Sequence, residues 1–121
     1  MYGEVNENDW ILFRKRVPGW QERIFSELVE NYSSILTSPG HSSERFWKLK
    51  DTLDRDLRIP SLVLDMRRSK MDMHIMTLLG DGVITLSDLE GFSDDVLNKA
   101  KFYLESCEKY RKKDGRKKRK D

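Results

Sequence analysis

Large apolar residues recur at steps of three or four positions through the first third of the chain. They are Trp10, Phe13, Val17, Trp20, Ile24, Leu28, Tyr32 and Ile35. Steps of this size place side chains on one face of an α-helix, because the helix has 3.6 residues per turn. Asn6 to Asn8 precede the stripe and are suited to cap a helix. The stripe therefore predicts a long amphipathic helical region that ends near Leu36.

Pro18 and Gly19 interrupt this region. Pro18 has no N–H group to donate to the carbonyl of Arg14, and its ring disfavours helical geometry at Val17. The apolar stripe keeps its phase across the interruption. We therefore expect a short helix, a kink or tight turn at Val17–Pro18, and a longer helix, with both parts facing one core.

A second helix is expected after the loop-forming stretch of residues 37–42, with Ser42 or Ser43 as its cap. Charged residues fill the predicted outer face, and apolar residues at helical spacing mark the predicted inner face. The inner residues are Phe46, Leu49, Leu53 and Leu57, with Trp47 on the flank.

Pro60 fits the first turn of a third helix, which the sequence predicts from about Ser61 to Leu79. Apolar residues lie on most sides of this stretch, as in a central helix that others surround. Its methionines are therefore assigned to the core, and Gly80 is expected to end the helix in the left-handed conformation. The methionines concerned are Met66, Met71, Met73 and Met76.

The last predicted helix begins at Ser93, where Asp94 and Asp95 favour a helix start. Thr85 or Ser87 is expected to cap a single turn before it. The inward stripe of the last helix continues to Cys107. No stretch alternates like a strand and no fixed repeat occurs, so the sequence predicts an all-α protein. The expected architecture is a compact bundle of four to five helices with a kinked first helix and a basic C-terminal tail.

Charge is distributed unevenly along the 121 residues, although the net charge is only +2. Residues 109–121 contain nine Lys or Arg residues, whereas the rest of the chain is mildly acidic. We therefore predict a single helical domain at 1–108 and a basic, disordered tail at 109–121.

The composition also bears on location. Hydrophobic residues make up 37% and charged residues 36% of the chain, and no apolar run reaches the roughly 20 residues that span a bilayer. The first residues lack the pattern of a signal peptide. A single cysteine, Cys107, fits a reducing compartment. The expectation is a cytoplasmic protein with no membrane partner.

The stretch Asp81-Gly82-Val83-Ile84-Thr85, followed by Asp88, resembles the second half of a calcium loop. With Gly82 at loop position 6, Asp81 and Asp88 fall on ligand positions 5 and 12. Positions 1 and 3, however, fall on Thr77 and Leu79, and a leucine offers no oxygen ligand. The sequence therefore predicts a connection between helices and no metal.

Other candidate chemistry is sparse. His41 lies in a loop, and His74 lies in the predicted central helix without further ligands at metal-binding spacing. Cys107 falls on an inward stripe with no histidine nearby in sequence. No phosphate loop or nucleophile elbow is present. We therefore expect no catalytic residues, no cofactor and no enzymatic activity.

Basic residues provide the evidence for a nucleic-acid ligand, since Lys and Arg neutralise phosphate charge. One group lies around Pro60 and in the predicted central helix, and the other forms the tail. Acidic neighbours such as Asp65 and Asp72 favour an ordinary ion-paired surface instead. The candidate contacts are Arg55, Arg58, Arg67, Arg68, Lys70, Arg111, Lys112, Lys113, Arg116, Lys117, Lys118, Arg119 and Lys120.

Several short motifs resemble those of small uncharacterised all-helical proteins carried on mobile elements of anaerobic bacteria, some of which are labelled "multidrug transporter". The resemblance covers residues 9 to about 105. The motifs are Asp9-Trp10…Phe13-Arg14…Val17-Pro18-Gly19-Trp20-Gln21-Glu22, Phe46-Trp47…Arg58, Met66-Arg67-Arg68-Ser69, and Asp81-Gly82-Val83-Ile84-Thr85…Asp88-Leu89…Gly91-Phe92-Ser93.

The resemblance implies an accessory role in a bacterial mobile element, through binding a protein or a nucleic acid. The transporter label conflicts with helices that are amphipathic and interrupted by charge. The predicted function is a non-enzymatic helical interaction module with a protein partner. The alternative is a DNA- or RNA-binding protein that uses the tail together with Arg67, Arg68 and Lys70.

Overall fold

Helix α1 runs without interruption from Glu7 to Leu36 in the computed structural model of the chain, which describes residues 5–119 and the side chains of residues 5–110. Asn6 caps the helix, because its side-chain oxygen accepts hydrogen bonds from the N–H groups of Asn8 and Asp9. The sequence predicted a kink or turn at Val17–Pro18, and the structure joins both predicted segments into one helix.

The apolar stripe on α1 explains why the helix continues through Pro18. Pro18 itself is exposed, whereas the stripe residues on either side of it are buried. Their packing holds the two halves in line although one backbone hydrogen bond is missing. The buried members are Trp10, Phe13, Val17, Trp20, Ile24 and Ile35, while Leu28 and Tyr32 are half-buried.

Helix α2, Ser42–Asp56, returns along the second half of α1. The hydroxyl of Tyr32 donates a 2.7 Å hydrogen bond to Asp56 at the end of α2. Further along, the side-chain amide of Gln21 donates to the carbonyls of Ser61 and Leu62, both at 3.1 Å. The two helices therefore form an antiparallel pair, the α1–α2 hairpin. Burial and the bond to Asp56 raise the pKa of Tyr32 to about 12.

The face of α2 that packs on α1 differs from the predicted one. Phe46, Leu53 and Leu57 were expected inside but are exposed. Thr52 and Asp56 are buried instead, with Arg45 and Leu49 half-buried on the same side. The inner face is thus shifted by about one residue, and the hydrogen bond from Tyr32 to Asp56 holds α2 against α1 in this orientation. His41, not a serine, occupies the capping position, without a capping side-chain hydrogen bond.

The predicted long central helix is wrong over its first ten residues. Short 3-10 turns occur at Pro60–Leu62 and Arg68–Lys70, and residues 63–67 are irregular. Helix α3 spans only Met71–Gly80. The side-chain amide of Gln21 donates hydrogen bonds to two backbone carbonyls of the first turn, and Nε2 of His74 is 2.6 Å from the backbone carbonyl oxygen of Asp65. These side chains satisfy a non-helical backbone, as buried polar groups require.

The main core lies between the first half of α1, α3 and helix α4, Asp94–Arg119. No β-strand occurs between residues 5 and 119, so the predicted all-α class is confirmed. Aromatic rings line the α1 side of this core. Ring centroids are separated by 6.0 Å for Trp10 and Phe13, 6.2 Å for Phe13 and Trp20, and 6.5 Å for Trp20 and Phe92.

A buried carboxylate joins the starts of α1 and α4. Asp9 accepts a 2.8 Å hydrogen bond from the N–H of Ser93 and a 2.6 Å bond from its hydroxyl. Ser93 precedes the first residue of α4, as the sequence predicted for its cap. Helix α4 continues through the basic segment to Arg119. The separate tail at 109–121 stays a prediction, since side chains beyond Tyr110 lie outside the described residues.

Candidate functional site

The segment that resembles half of a calcium loop connects α3 to α4. Its left-handed residue is Gly82, with a φ angle of 78°, and not Gly80, which remains helical. The N–H of Val83 donates to the carbonyl of Leu78 at 2.9 Å, and that of Gly82 donates to Leu79 at 3.1 Å. This pair of bonds closes a helix around a left-handed glycine. The glycine of the motif therefore ends α3.

The two acids at ligand positions of the motif bind other parts of the chain. Asp81 accepts hydrogen bonds from the N–H and the hydroxyl of buried Ser61, at 3.3 and 2.6 Å. Asp88 accepts from the N–H of Thr85 at 2.8 Å and from the guanidinium of Arg23 at 2.9 and 3.0 Å. Among the described residues, no group of three or more His, Cys, Asp or Glu is placed to hold a metal ion.

Asp88 gives the fold an acid-sensitive contact. The hydrogen bond from Arg23 is the largest cause that lowers the pKa of Asp88 from 3.8 to about 2, with a further contribution from Thr85. A lowered pKa in the folded state stabilises the fold above the unfolded value. We expect this stabilisation to be lost as the pH falls from about 4 to about 2. Urea unfolding at several pH values should show a shallower loss in Asp88→Asn than in the unsubstituted chain.

Arg23→Leu provides the matched variant, because it removes the same contact from the other side. This variant should also lose less stability between about pH 4 and pH 2, because the Arg23 guanidinium is the main cause of the lowered pKa of Asp88. Equal pH dependence in the unsubstituted chain and both variants would contradict this role of the ion pair.

The remaining candidate chemical groups are spread over the fold. His41 is exposed in the α1–α2 connection. His74 is buried, and its Nε2 contacts the backbone of Asp65. Cys107, expected to be buried, is half-buried on α4. A hydrogen bond with Cys107, together with burial, raises the pKa of the Tyr103 hydroxyl. These contacts connect neighbouring segments of the fold.

The candidate nucleic-acid contacts lie on separate segments. Arg55 and Arg58 are at the end of α2, whereas Arg67, Arg68 and Lys70 precede α3. Three of them have acidic neighbours: Arg68 is 2.9 Å from Glu7, Arg67 is 3.0 Å from Asp65, and Arg55 is 3.9 Å from Asp56. The side chains of Arg111, Lys112, Lys113, Arg116, Lys117, Lys118, Arg119 and Lys120 lie outside the described residues. Nucleic-acid contact stays a prediction.

The hairpin carries an exposed apolar surface, and only its members on α2 were assigned to the core from the sequence. Its six members are between 38% and 72% exposed. They are Phe25, Val29 and Leu36 on α1, and Phe46, Leu53 and Leu57 on α2. We call this set the hairpin face. Trp47, expected on the flank of the inner face of α2, is exposed beside the hairpin face, with its ring centroid 5.0 Å from that of Phe46.

Each member of the hairpin face directly follows a residue that points toward the other helix. On α1, for example, Phe25 follows buried Ile24, and on α2 Leu53 follows buried Thr52. One residue step turns a helix by about 100° in a fixed sense. Because the two helices are antiparallel, the same step leads to the same side of the hairpin on both. All six side chains therefore lie on one side.

The members of the hairpin face also lie at matching heights. The pairs are Phe25 with Leu57, Val29 with Leu53, and Leu36 with Phe46. In each pair the two residue numbers add up to 82, as do those of Gln21 and Ser61, which a hydrogen bond joins just beyond the end of α2. Within the hairpin the bond from Tyr32 to Asp56 has a sum of 88, a difference that the long tyrosine side chain can span. Antiparallel helices place such residues side by side. The hairpin face is therefore a ladder of three apolar rungs.

Two clefts lie outside the hairpin face. A polar cleft of about 490 Å³ between α1 and the connection before α4 includes Lys15, Arg16 and Asp88. An apolar groove of about 310 Å³ between α3 and α4 includes Met73 and Phe102. Met73 and Met66 were assigned to the core but are exposed, whereas Met71 is buried and Met76 half-buried.

Within the described residues, no helix is both long enough and apolar enough to cross a membrane. Comparison of the chain with protein-family models, with curated proteins and with solved structures finds no match.

Proposed function

We propose that this protein is a non-enzymatic helical module that binds a helical segment of a protein partner through the hairpin face. The observation that carries the proposal is the ladder of six exposed apolar side chains on one side of the α1–α2 hairpin. Single exposed apolar residues are ordinary on protein surfaces, whereas a contiguous apolar patch marks an interaction site.

The chemistry of the hairpin face favours a protein over a nucleic acid. A protein surface that binds nucleic acid needs arginine and lysine at the contact. The ladder itself consists of Phe, Val and Leu. Lys50 is the basic residue one helical turn from both Phe46 and Leu53, and its amine is 2.7 Å from the carboxylate of Asp54. Amphipathic helices bind to such apolar helical surfaces through side chains at helical spacing. A helical partner segment thus fits the ladder.

The resemblance to proteins of bacterial mobile elements gives this proposal a cellular setting. In that setting the chain acts in the bacterial cytoplasm as an accessory factor that recruits or positions another protein. DNA or RNA binding through the basic residues is the alternative, and the test below separates the two.

Site-specific photo-crosslinking in cells that express the chain tests the proposal. A benzophenone amino acid at position 53 lies within the hairpin face, and one at position 51 lies on another side of the same helix, where Asp51 is exposed. We expect light-dependent, protease-sensitive adducts from position 53 and few from position 51. Equal yields at the two positions would contradict the proposal. Adducts at position 53 that nuclease removes would support the alternative.

A further inference from the structure

We infer that the partner of the hairpin face is a second copy of this chain, so that two hairpins pack into a four-helix bundle. This inference rests on the proposed function, since it names the occupant of the same surface. Three features support it: the size of the face, the level arrangement of its rungs, and its charge.

The hairpin face supplies most of the area of one side of a standard dimer interface. Its six side chains expose on the order of 600 Å² of surface, and each partner in a standard protein interface buries roughly 800 Å². Trp47 at the edge adds further apolar area. The face is at the upper end of the roughly 300–600 Å² of the largest apolar patch on a typical monomer, which is often functional.

The rungs are arranged so that the face can match itself. On α1 the exposed members are separated by four and then seven positions, and on α2 by seven and then four. This reversal makes the rungs level on antiparallel helices. A two-fold axis parallel to the two helices relates residues at the same position along the helix axes. Two copies would therefore stack rung on rung, giving layers of four apolar side chains, as in a four-helix bundle.

Charge does not oppose the contact between two identical faces. Like charges brought together would disfavour self-association, but Lys50, which lies between Phe46 and Leu53, already forms a neutral pair with Asp54. Small serines, Ser26 and Ser33, lie beside the α1 members of the ladder and are exposed. They leave space for the larger side chains of a facing helix.

Sedimentation equilibrium of the purified full-length chain in reducing buffer tests the inference. The average mass should rise with concentration toward twice the chain mass of 14.4 kDa. It should change little between low and high salt, because an apolar interface is not screened. The double variant Val29→Asp/Leu53→Asp places charges on the middle rung, and we expect it to raise the dissociation constant by about 100-fold or more.

Val63→Asp is the matched control. Val63 is 86% exposed but lies outside the hairpin, between α2 and α3. This variant should dimerise like the unsubstituted chain. Circular dichroism should show unchanged helix content in both variants, since all three positions are exposed in the single chain. If the double variant does not fold, Phe46→Asn provides a milder change on another rung and should also weaken the dimer.

A chain that stays monomeric at all concentrations would overturn the inference, as would a dimer that the hairpin-face variants leave intact. The crosslinking experiment separates this failure from failure of the proposed function. Adducts from position 53 at twice the chain mass support both proposals. Adducts of another mass, with a monomeric purified chain, overturn only the second copy as partner, and absence of adducts together with a monomeric chain overturns both.

Discussion

Replacement of Phe13 by alanine is expected to lower the free energy of unfolding by about 3–5 kcal/mol. Phe13 is completely buried, and its ring lies between those of Trp10 and Trp20. Alanine removes the ring and leaves a cavity that these two indoles cannot close by simple rotation. Because whole domains are stable by only about 5–15 kcal/mol, the variant should unfold at a much lower urea concentration.

Phe102→Ala is the matched control for this substitution. Phe102 also lies on a helix, but 72% of its surface is exposed. Little apolar surface is returned to water when its ring is removed, so we expect a change within about 0.5 kcal/mol. Urea unfolding followed by circular dichroism, at one protein concentration for all chains, measures both. Similar losses for the two phenylalanines would contradict the position of Phe13 in the core.

Asp9→Ala should cause the second large loss, of about 2–3 kcal/mol. The Asp9 side chain is buried and accepts both hydrogen bonds from Ser93. Alanine leaves the N–H and hydroxyl of Ser93 without this acceptor in a partly buried place, and it removes the contact between the starts of α1 and α4. The same urea experiment measures the loss.

Asp94→Ala separates this contact from a general effect of negative charge near α4. Asp94 is exposed in the first turn of the helix, where an acidic residue contributes about 0.3–1 kcal/mol through the helix dipole. Its removal should therefore cost clearly less than that of Asp9. Ser93→Ala should fall between the two, because it removes the hydroxyl and keeps the backbone N–H. Equal losses at Asp9 and Asp94 would show that the buried contact adds nothing.

The sequence predicted α1 well because one physical rule was enough. Its apolar stripe is long, and the packing of Trp10, Phe13 and Trp20 overrides the local effect of Pro18. Local signals also identified the turn that Thr85 begins, where Asp88 three positions later completes a capping box. The contacts of the Thr85 turn lie close together in sequence, and in α1 the stripe itself marks the buried face, although α3 and α4 supply the residues that cover it.

The face of α2 could not be predicted in the same way. An apolar stripe at helical spacing shows that a helix has an apolar side, but it does not show what covers that side. Phe46, Leu53 and Leu57 have the spacing of core residues and are nevertheless exposed. The inner side is set by Asp56, whose partner Tyr32 is far away in sequence. The sequence therefore showed that α2 has an apolar side, but it did not show that this side is exposed.

The start of α3 was missed for a related reason. Apolar residues continue from Leu62 to Leu64, so the pattern resembles a helix, but the backbone there is held open by Gln21 and His74. Both side chains come from other segments, so the residues around Leu62 and Leu64 give no sequence signal of these contacts. Distant partners likewise fix the roles of Asp81 and Asp88, which sequence reasoning could only exclude from a calcium site.

Helix α1 belongs to two different structural units. Its 30 residues extend for about 45 Å; the first half packs into the main core through Phe13 and Trp20, and the second half pairs with α2. The residues that stabilise the core therefore lie in one half of α1, and the residues that would select a partner lie in the other half. Substitutions at Val29 or Leu36 can change which partner is bound without disturbing the aromatic core. The stability of the fold and the choice of partner can therefore evolve independently within a single helix.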